Sequence, residues 1–218
     1  MIFLHQLIKY FGFLMIFALG SGGTLKLENN NDGTWNVIYD SSPEEFIAGF
    51  HFDVDGDGDM DVLSASVYDD KIAWYENNGS QSFTKITIST DADAVISVFA
   101  IDLDLDGDMD VLSASQQDDK VAWYENDGAA DPSFTANTIT SSADGASYLY
   151  AVDLDNDGDI DVISNAMYES KIYWFENDGA SDPSFSTNTL ASTTAPPNGI
   201  HAVDVDGDGD IDVLNTMP

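Results

Sequence analysis

A nine-residue acidic segment occurs four times in this 218-residue chain, and its recurrence constrains the fold more than any other feature. The copies run Asp53-Val-Asp55-Gly-Asp57-Gly-Asp59-Met-Asp61, Asp102-Leu-Asp104-Leu-Asp106-Gly-Asp108-Met-Asp110, Asp153-Leu-Asp155-Asn-Asp157-Gly-Asp159-Ile-Asp161 and Asp204-Val-Asp206-Gly-Asp208-Gly-Asp210-Ile-Asp212. Five carboxylates within nine residues repel one another unless a hard cation sits among them, and calcium is the natural occupant of an all-oxygen loop. A loop wrapped on calcium offers side-chain oxygens from positions one, three and five, turns at a glycine in position six and gives a backbone carbonyl from position seven. In the first copy these are Asp53, Asp55, Asp57, Gly58 and Asp59. The ninth residue, Asp61 with its counterparts Asp110, Asp161 and Asp212, is then a direct or water-bridged ligand. All twenty aspartates are thus candidate ligands for up to four Ca²⁺ ions.

The flanks argue against helices. Where a helical calcium-binding loop carries glutamate at its twelfth position, this chain has Ser64, Ser113, Ser164 and Asn215. Each loop is followed by a short apolar, β-branched run such as Asp61-Val-Leu-Ser-Ala-Ser66 and preceded by another such as Val98-Phe-Ala-Ile101, which read as buried strands. Asp-Gly pairs also make plain tight turns. Four copies in phase favour the metal loop.

A second element recurs in step with the first: Lys71-Ile-Ala-Trp74-Tyr75-Glu76-Asn77-Asn-Gly79, Lys120-Val-Ala-Trp123-Tyr124-Glu125-Asn126-Asp-Gly128 and Lys171-Ile-Tyr-Trp174-Phe175-Glu176-Asn177-Asp-Gly179. Each reads as a strand ending in an Asn-Gly or Asp-Gly turn, with a fourth strand such as Phe83-Thr-Lys-Ile-Thr-Ile88 beyond it. Asp61 and Asp110 lie 49 residues apart, and the next two intervals are 51 each. The two extra residues fall in a loop, through Asp131-Pro-Ser and Asp182-Pro-Ser. Four strands per unit at this period imply an all-β chain, a β-propeller of four-stranded blades that cover one another's faces. Trp74, Trp123 and Trp174 are expected between blades, with stacking on sugar rings as the alternative. Lys71, Lys120 and Lys171 are expected to neutralise nearby acids, and Asp131 and Asp182, on loops, to meet a partner.

The Asp-x-Asp-Gly-Asp-Gly-x-x-Asp loop, the Val-Leu that follows it and the downstream Trp-Tyr-Glu-Asn resemble the FG-GAP/VCBS repeat proteins, whose relatives include the calcium-binding propellers of integrin α subunits. No copy carries a Phe-Gly…Gly-Ala-Pro stretch, which makes the chain more similar to the bacterial VCBS type than to the animal receptors. The resemblance implies calcium in the hairpin between the first two strands of each blade. It further implies adhesion, or recognition of an extracellular glycan or protein ligand.

The ends of the array are half-units. Leu25-Lys-Leu27-Glu28-Asn29 matches Ala73-Trp74-Tyr75-Glu76-Asn77 in register, so residues 24–40 read as the back half of a blade and 198–218 as the front half. Three whole blades, 46–90, 95–141 and 146–192, lie between them. The halves either pair to close a four-blade ring or belong to an arc of a larger one.

Residues 1–20 differ from the rest. Lys9 precedes the apolar Tyr10–Leu19 stretch, which is too short to span a bilayer and ends in small residues. This is the layout of a secretory signal peptide, so residues 21–218 would be the mature repeat array, secreted or at the cell surface, with no membrane span after cleavage. The formal charge of −34, from 40 acids against six lysines and no arginine, excludes nucleic acid as a partner. With no cysteine, neither disulfides nor thiolate metal sites hold the fold. Three histidines, of which His51 aligns with Ala202 rather than with His201, and the absence of any Gly-x-Ser-x-Gly or His-Glu-x-x-His give no catalytic constellation, so no enzyme is expected. The alternative is an accessory propeller, or part, of a polysaccharide-degrading lyase or glycosidase.

Overall fold

The computed structural model describes residues 21–29, 35–42, 46–80 and 82–217, with side chains described from Asp53 onward. Residues 1–20, read above as a signal peptide, lie outside the described residues. The described chain is all β. Strands β1 (Ser21–Asn29) and β2 (Trp35–Ser42) form one antiparallel pair. A four-stranded sheet follows from β3 (Phe46–Phe52), β4 (Asp61–Ser66), β5 (Lys71–Asn77) and β6 (Phe83–Ser89). The next two sheets are β7 (Val95–Ile101), β8 (Asp110–Ser115), β9 (Lys120–Asn126), β10 (Phe134–Thr140), and β11 (Ala146–Val152), β12 (Asp161–Ala166), β13 (Lys171–Asn177), β14 (Phe185–Ser192). A last pair, β15 (Ile200–Val203) and β16 (Asp212–Asn215), closes the series.

Within each four-stranded sheet the strands run in sequence order as an antiparallel meander, and the first strands β3, β7, β11 and β15 neighbour one another in turn. Sheets that share an inner edge in this way fan out from a common axis, the radial layout of propeller blades. The second strands β4, β8 and β12 are buried along their whole length, which explains their unbroken runs of apolar and small residues. The fourth strands β6, β10 and β14 carry Thr, Ser and Lys on exposed positions, as outer edges should.

Successive residues of a strand face opposite sides of the sheet, so the aromatic pair in each third strand serves two interfaces. Trp74 of the first full blade packs forward into one apolar cluster with Val98, Val111 and Tyr124 of the second. Trp123 of the second blade packs forward with Leu149, Val162 and Phe175 of the third. Each interblade layer therefore takes the tryptophan of one blade and the following aromatic of the next. Trp74 and Trp123 are fully buried, which settles their role as core. Trp174 is only half-buried, because the sheet it faces has two strands instead of four.

The two half-blades do not join. β1 pairs with β2 and β15 with β16, and no strand pairing links the two sheets among the described residues. The hydrogen-bonded seam of a closed four-blade ring is thus not formed.

Candidate metal centre

The aspartate loops connect the first and second strands of each blade, at the end where the third strand also turns into the fourth. The same hydrogen bonds recur in all four. The first aspartate bends back to accept the N–H of the loop's sixth residue: Gly58 to Asp53 at 2.9 Å, Gly107 to Asp102 at 3.1 Å, Gly158 to Asp153 at 3.0 Å and Gly209 to Asp204 at 3.0 Å. The third aspartate accepts the N–H of the fifth residue, and the fifth that of the seventh, as in Asp57 to Asp55 at 3.2 Å and Asp59 to Asp57 at 2.8 Å. Short polar side chains that bond their own backbone two residues on make a tight coil whose remaining carboxylate oxygens turn inward.

Three carboxylates per loop converge. Ligand oxygens of Asp53, Asp55 and Asp57 lie within 4.8 Å of one another, as do those of Asp102, Asp104 and Asp110, of Asp153, Asp155 and Asp157, and of Asp204, Asp206 and Asp212. The structure therefore brings together twelve of the twenty aspartates.

The ninth aspartate has a second task. Asp61, Asp110 and Asp161 are fully buried. One oxygen of each accepts the N–H of the loop's second residue: Val54 at 2.9 Å, Leu103 at 3.0 Å and Leu154 at 3.2 Å. The other accepts the N–H of Asn77, Asn126 or Asn177, in each case at 2.8 Å. Each thus staples its loop to the third strand of the same blade. Asp212 accepts the Val205 N–H at 3.0 Å but stays exposed, since β15–β16 has no third strand.

The seventh aspartate points elsewhere. Asp59, Asp108 and Asp159 lay their carboxylates over Gly79, Gly128 and Gly179, where a Cβ would collide with them. These glycines also have φ between 64° and 68°, so the final glycine of each Trp-aromatic-Glu-Asn-x-Gly segment is required twice over.

The electrostatics match a site built for a cation. Burial, reinforced by repulsion from Asp57 and Asp53, raises the Asp55 carboxyl above its usual range, and Asp104 and Asp155 are raised by burial and their own neighbours in the same way. Burial also raises Asp61 and Asp161, and it pushes Asp110 up to about 7 against the pull of the Asn126 and Leu103 amides. Oδ1 of Asp53 and Oδ1 of Asp102 are buried with no hydrogen-bond partner. An orphaned, crowded, hard-oxygen donor set fits a divalent cation, and the three converging aspartates of each loop would hold it, with the fifth residue as the third member in the first and third loops and the ninth in the second and fourth. Bound there, the ion would neutralise the cluster and pin three points of the loop together. The repeat-phase lysines do not compete, since they pair with acids at the opposite end of the blades: Lys71 with Asp69 at 2.5 Å, Lys120 with Asp118 at 2.7 Å and Lys171 with Glu169 at 3.3 Å.

Two sets of residues escaped the sequence reading. The first is Asn77, Asn126 and Asn177, which the sequence marks only as the start of a turn. Their amides donate to the carbonyls of Met60, Met109 and Ile160 at 3.0 Å each, and their Oδ1 atoms accept the N–H of the turn glycine. Asn126 also reaches Val54 O of the preceding blade's loop at 3.0 Å. The constant 16-residue spacing from the ninth aspartate was the signal. The second set, Asp70 and Asp119, accepts the N–H of Ala94 at 2.9 Å and of Gly145 at 2.9 Å, tying each blade to the segment that opens the next. Asp131 and Asp182 lie exposed on the loops after the third strands.

A family model for the FG-GAP-like repeat matches residues 53–113, 102–164 and 161–214, most of the chain and every aspartate loop. The chain belongs to the FG-GAP-like repeat family. No curated protein matches it. Among solved structures, this FG-GAP-like chain is similar to an Agrocybe aegerita lectin described as specifically recognising non-reducing terminal N-acetylglucosamine, with a TM-score of 0.56 at 12% identity. The match covers 91% of this chain and 58% of the lectin, so the FG-GAP-like chain spans little more than half the length of that propeller. At such identity the likeness establishes the fold. No helix among the described residues is long and apolar enough to cross a membrane.

Proposed function

We propose that the chain is a calcium-stiffened recognition module that acts outside the cell, secreted or on the cell surface, and binds a glycan or protein ligand through loops carried on the blades. The convergence of three carboxylates in each of four loops, with one hydrogen-bond pattern throughout, carries the calcium part of this reading. The repeat family and the lectin of similar fold support recognition in preference to catalysis. Calcium would act structurally. Extracellular modules of this kind bind it at about 10⁻⁴–10⁻³ M, and an ion present at ten times its Kd adds about 1.4 kcal/mol per site to folded-state stability.

Titration calorimetry with millimolar CaCl₂ should register binding of up to four ions, and EDTA should lower the melting temperature by several degrees. An absence of heat together with an unchanged melt would remove calcium from the proposal. A glycan array probed with the calcium-loaded chain tests the recognition half separately.

A further inference from the structure

We infer that the seam between the second and third full blades, at the end of the array opposite the aspartate loops, is a stacking site for a neutral pyranose sugar with Tyr168 as its platform. This assignment rests on the glycan branch of the recognition reading.

Tyr168 and Tyr68 occupy the same place in the four-residue turns between second and third strands, Met167-Tyr168-Glu169-Ser170 and Val67-Tyr68-Asp69-Asp70. They are 60% and 67% exposed, whereas the other described tyrosines are buried or half-buried in the blades. Trp74 and Trp123 are core and Trp174 is half-buried, so among the described residues Tyr68 and Tyr168 are the most exposed aromatic rings. Exposure alone would mean little for a single side chain. What distinguishes Tyr168 is its seat. One side of the ring rests on Gly145, so closely that a Cβ there would come within 2.6 Å of Cδ2 and 2.9 Å of Cγ.

The seat is itself fastened. The Gly145 N–H donates to Asp119 Oδ1 of the preceding blade at 2.9 Å, its carbonyl accepts the Met167 N–H at 3.1 Å, and the Tyr168 N–H donates to Asp144 O at 3.1 Å. In the second blade, where the turn residue is Gln117, the place of Gly145 is taken by Ala94, which keeps a positive φ of 53° but carries a side chain. The glycine seat is thus particular to the ring of Tyr168: the aligned positions in the first and second blades are Glu45 and Ala94. An aromatic ring backed on one side, open on the other and fixed by a bonded turn is a platform whose ordering cost has already been met.

The chemistry of the surroundings selects the ligand. A pyranose offers a C–H face for stacking and hydroxyls that need planar polar partners. The Gln116 amide reaches across this seam with only the Met167 sulfur as its partner, at 3.5 Å, a weak bond that a hydroxyl readily replaces. Asp118, Asp119, Asp144 and Glu169 outnumber Lys120 and Lys171 on these turns, so a uronate or sulfated sugar is repelled and a neutral one is not.

The test uses the full calcium-loaded chain, titrated with chitotriose, cellotriose and trigalacturonate by calorimetry and by saturation-transfer NMR. A neutral trisaccharide should bind, with transfer to tyrosine ring protons. Tyr168→Ala should weaken binding about tenfold or more, while Tyr168→Phe, which keeps the ring, should stay within about threefold. The ring is exposed, so the melting temperature should not move, which separates loss of the platform from loss of fold. Unchanged affinity in Tyr168→Ala would overturn the site and leave glycan recognition standing. Preference for trigalacturonate would overturn the neutral-sugar assignment. Failure of every neutral glycan on an array to bind the wild-type chain would remove the glycan reading, and this site with it.

Discussion

Replacing Asp110 by alanine separates the ninth aspartate's stapling role from any bound ion. Asp110 is 1% exposed, and its oxygens accept the amides of Leu103 at 3.0 Å and Asn126 at 2.8 Å. Alanine leaves two buried N–H groups without partners, at about 1–3 kcal/mol each, or roughly 2–6 kcal/mol together. Asp212 holds the same repeat position but is exposed, and water replaces its bond to the Val205 amide, so Asp212→Ala should cost less than about 0.5 kcal/mol. One effect opposes the loss at Asp110. Burial pushes its carboxyl up to about 7, so at pH 8 the ionised form is itself costly and deleting it recovers part of the penalty. At pH 6 the carboxyl is mostly protonated and that recovery is small. Thermal and urea unfolding in EDTA at pH 6 therefore isolates the hydrogen bonds. For a chain of this size 1 kcal/mol corresponds to about 2–4 °C, so Asp110→Ala should melt roughly 5–20 °C lower and Asp212→Ala within about 2 °C of wild type. Equal losses at the two positions, or a loss below about 1 kcal/mol at Asp110, would refute the staple.

Gly128→Ala should destabilise by about 1–3 kcal/mol, from its φ of 64° and its collision with the Asp108 carboxylate. Adding Asp108→Ala should recover the steric share in a double-mutant melt, and strict additivity would show that the carboxylate is not the obstacle. Asn165 is fully buried with neither amide atom bonded, where the other blades carry Ala65 and Ala114, so Asn165→Ala should raise stability by about 1–3 kcal/mol. A drop in its melting temperature would reveal a partner. In EDTA, burial lets the folded chain hold a proton on Asp110 up to about pH 7, well above the ordinary carboxyl value of 3.8 that applies once it unfolds. The resulting stability is complete below that unfolded value and is lost as pH rises through about 7, and Asp61 and Asp161 act in the same direction. Melting temperature should therefore fall from pH 5.5 to pH 8, less steeply in Asp110→Ala, and identical slopes would exclude this group as the source.

Much of the architecture was legible because the chain states it repeatedly. The loops from Asp53, Asp102, Asp153 and Asp204 and the strands around them are local features, fixed by turn chemistry and β-branched runs within some fifteen residues. The forward and backward packing of Trp74 and Tyr124 follows from strand alternation once blades are granted. The site was legible only in part. The periodicity that marked five aspartates per loop as equivalent could not say which carboxylates converge, because that depends on side-chain direction in a coiled loop. Asp59 and Asp61 are two residues apart, yet one covers Gly79 and the other holds the amides of Val54 and Asn77.

By itself the amino-acid order determined the all-β class, the blade period, the acidic loops and their candidate ion, since each arises from neighbours along the chain. Contacts between distant segments decided the rest. Whether a repeated aspartate is buried or exposed depends on the strands beside it, as Asp110 and Asp212 demonstrate from one motif. Whether a tyrosine ring is buried or exposed depends on what packs against it, as Tyr124 between two blades and Tyr168 on the Gly145 backbone demonstrate. The half-blades, complementary in pattern, stay unpaired, because strand pairing requires two edges to meet in space as well as to match in register.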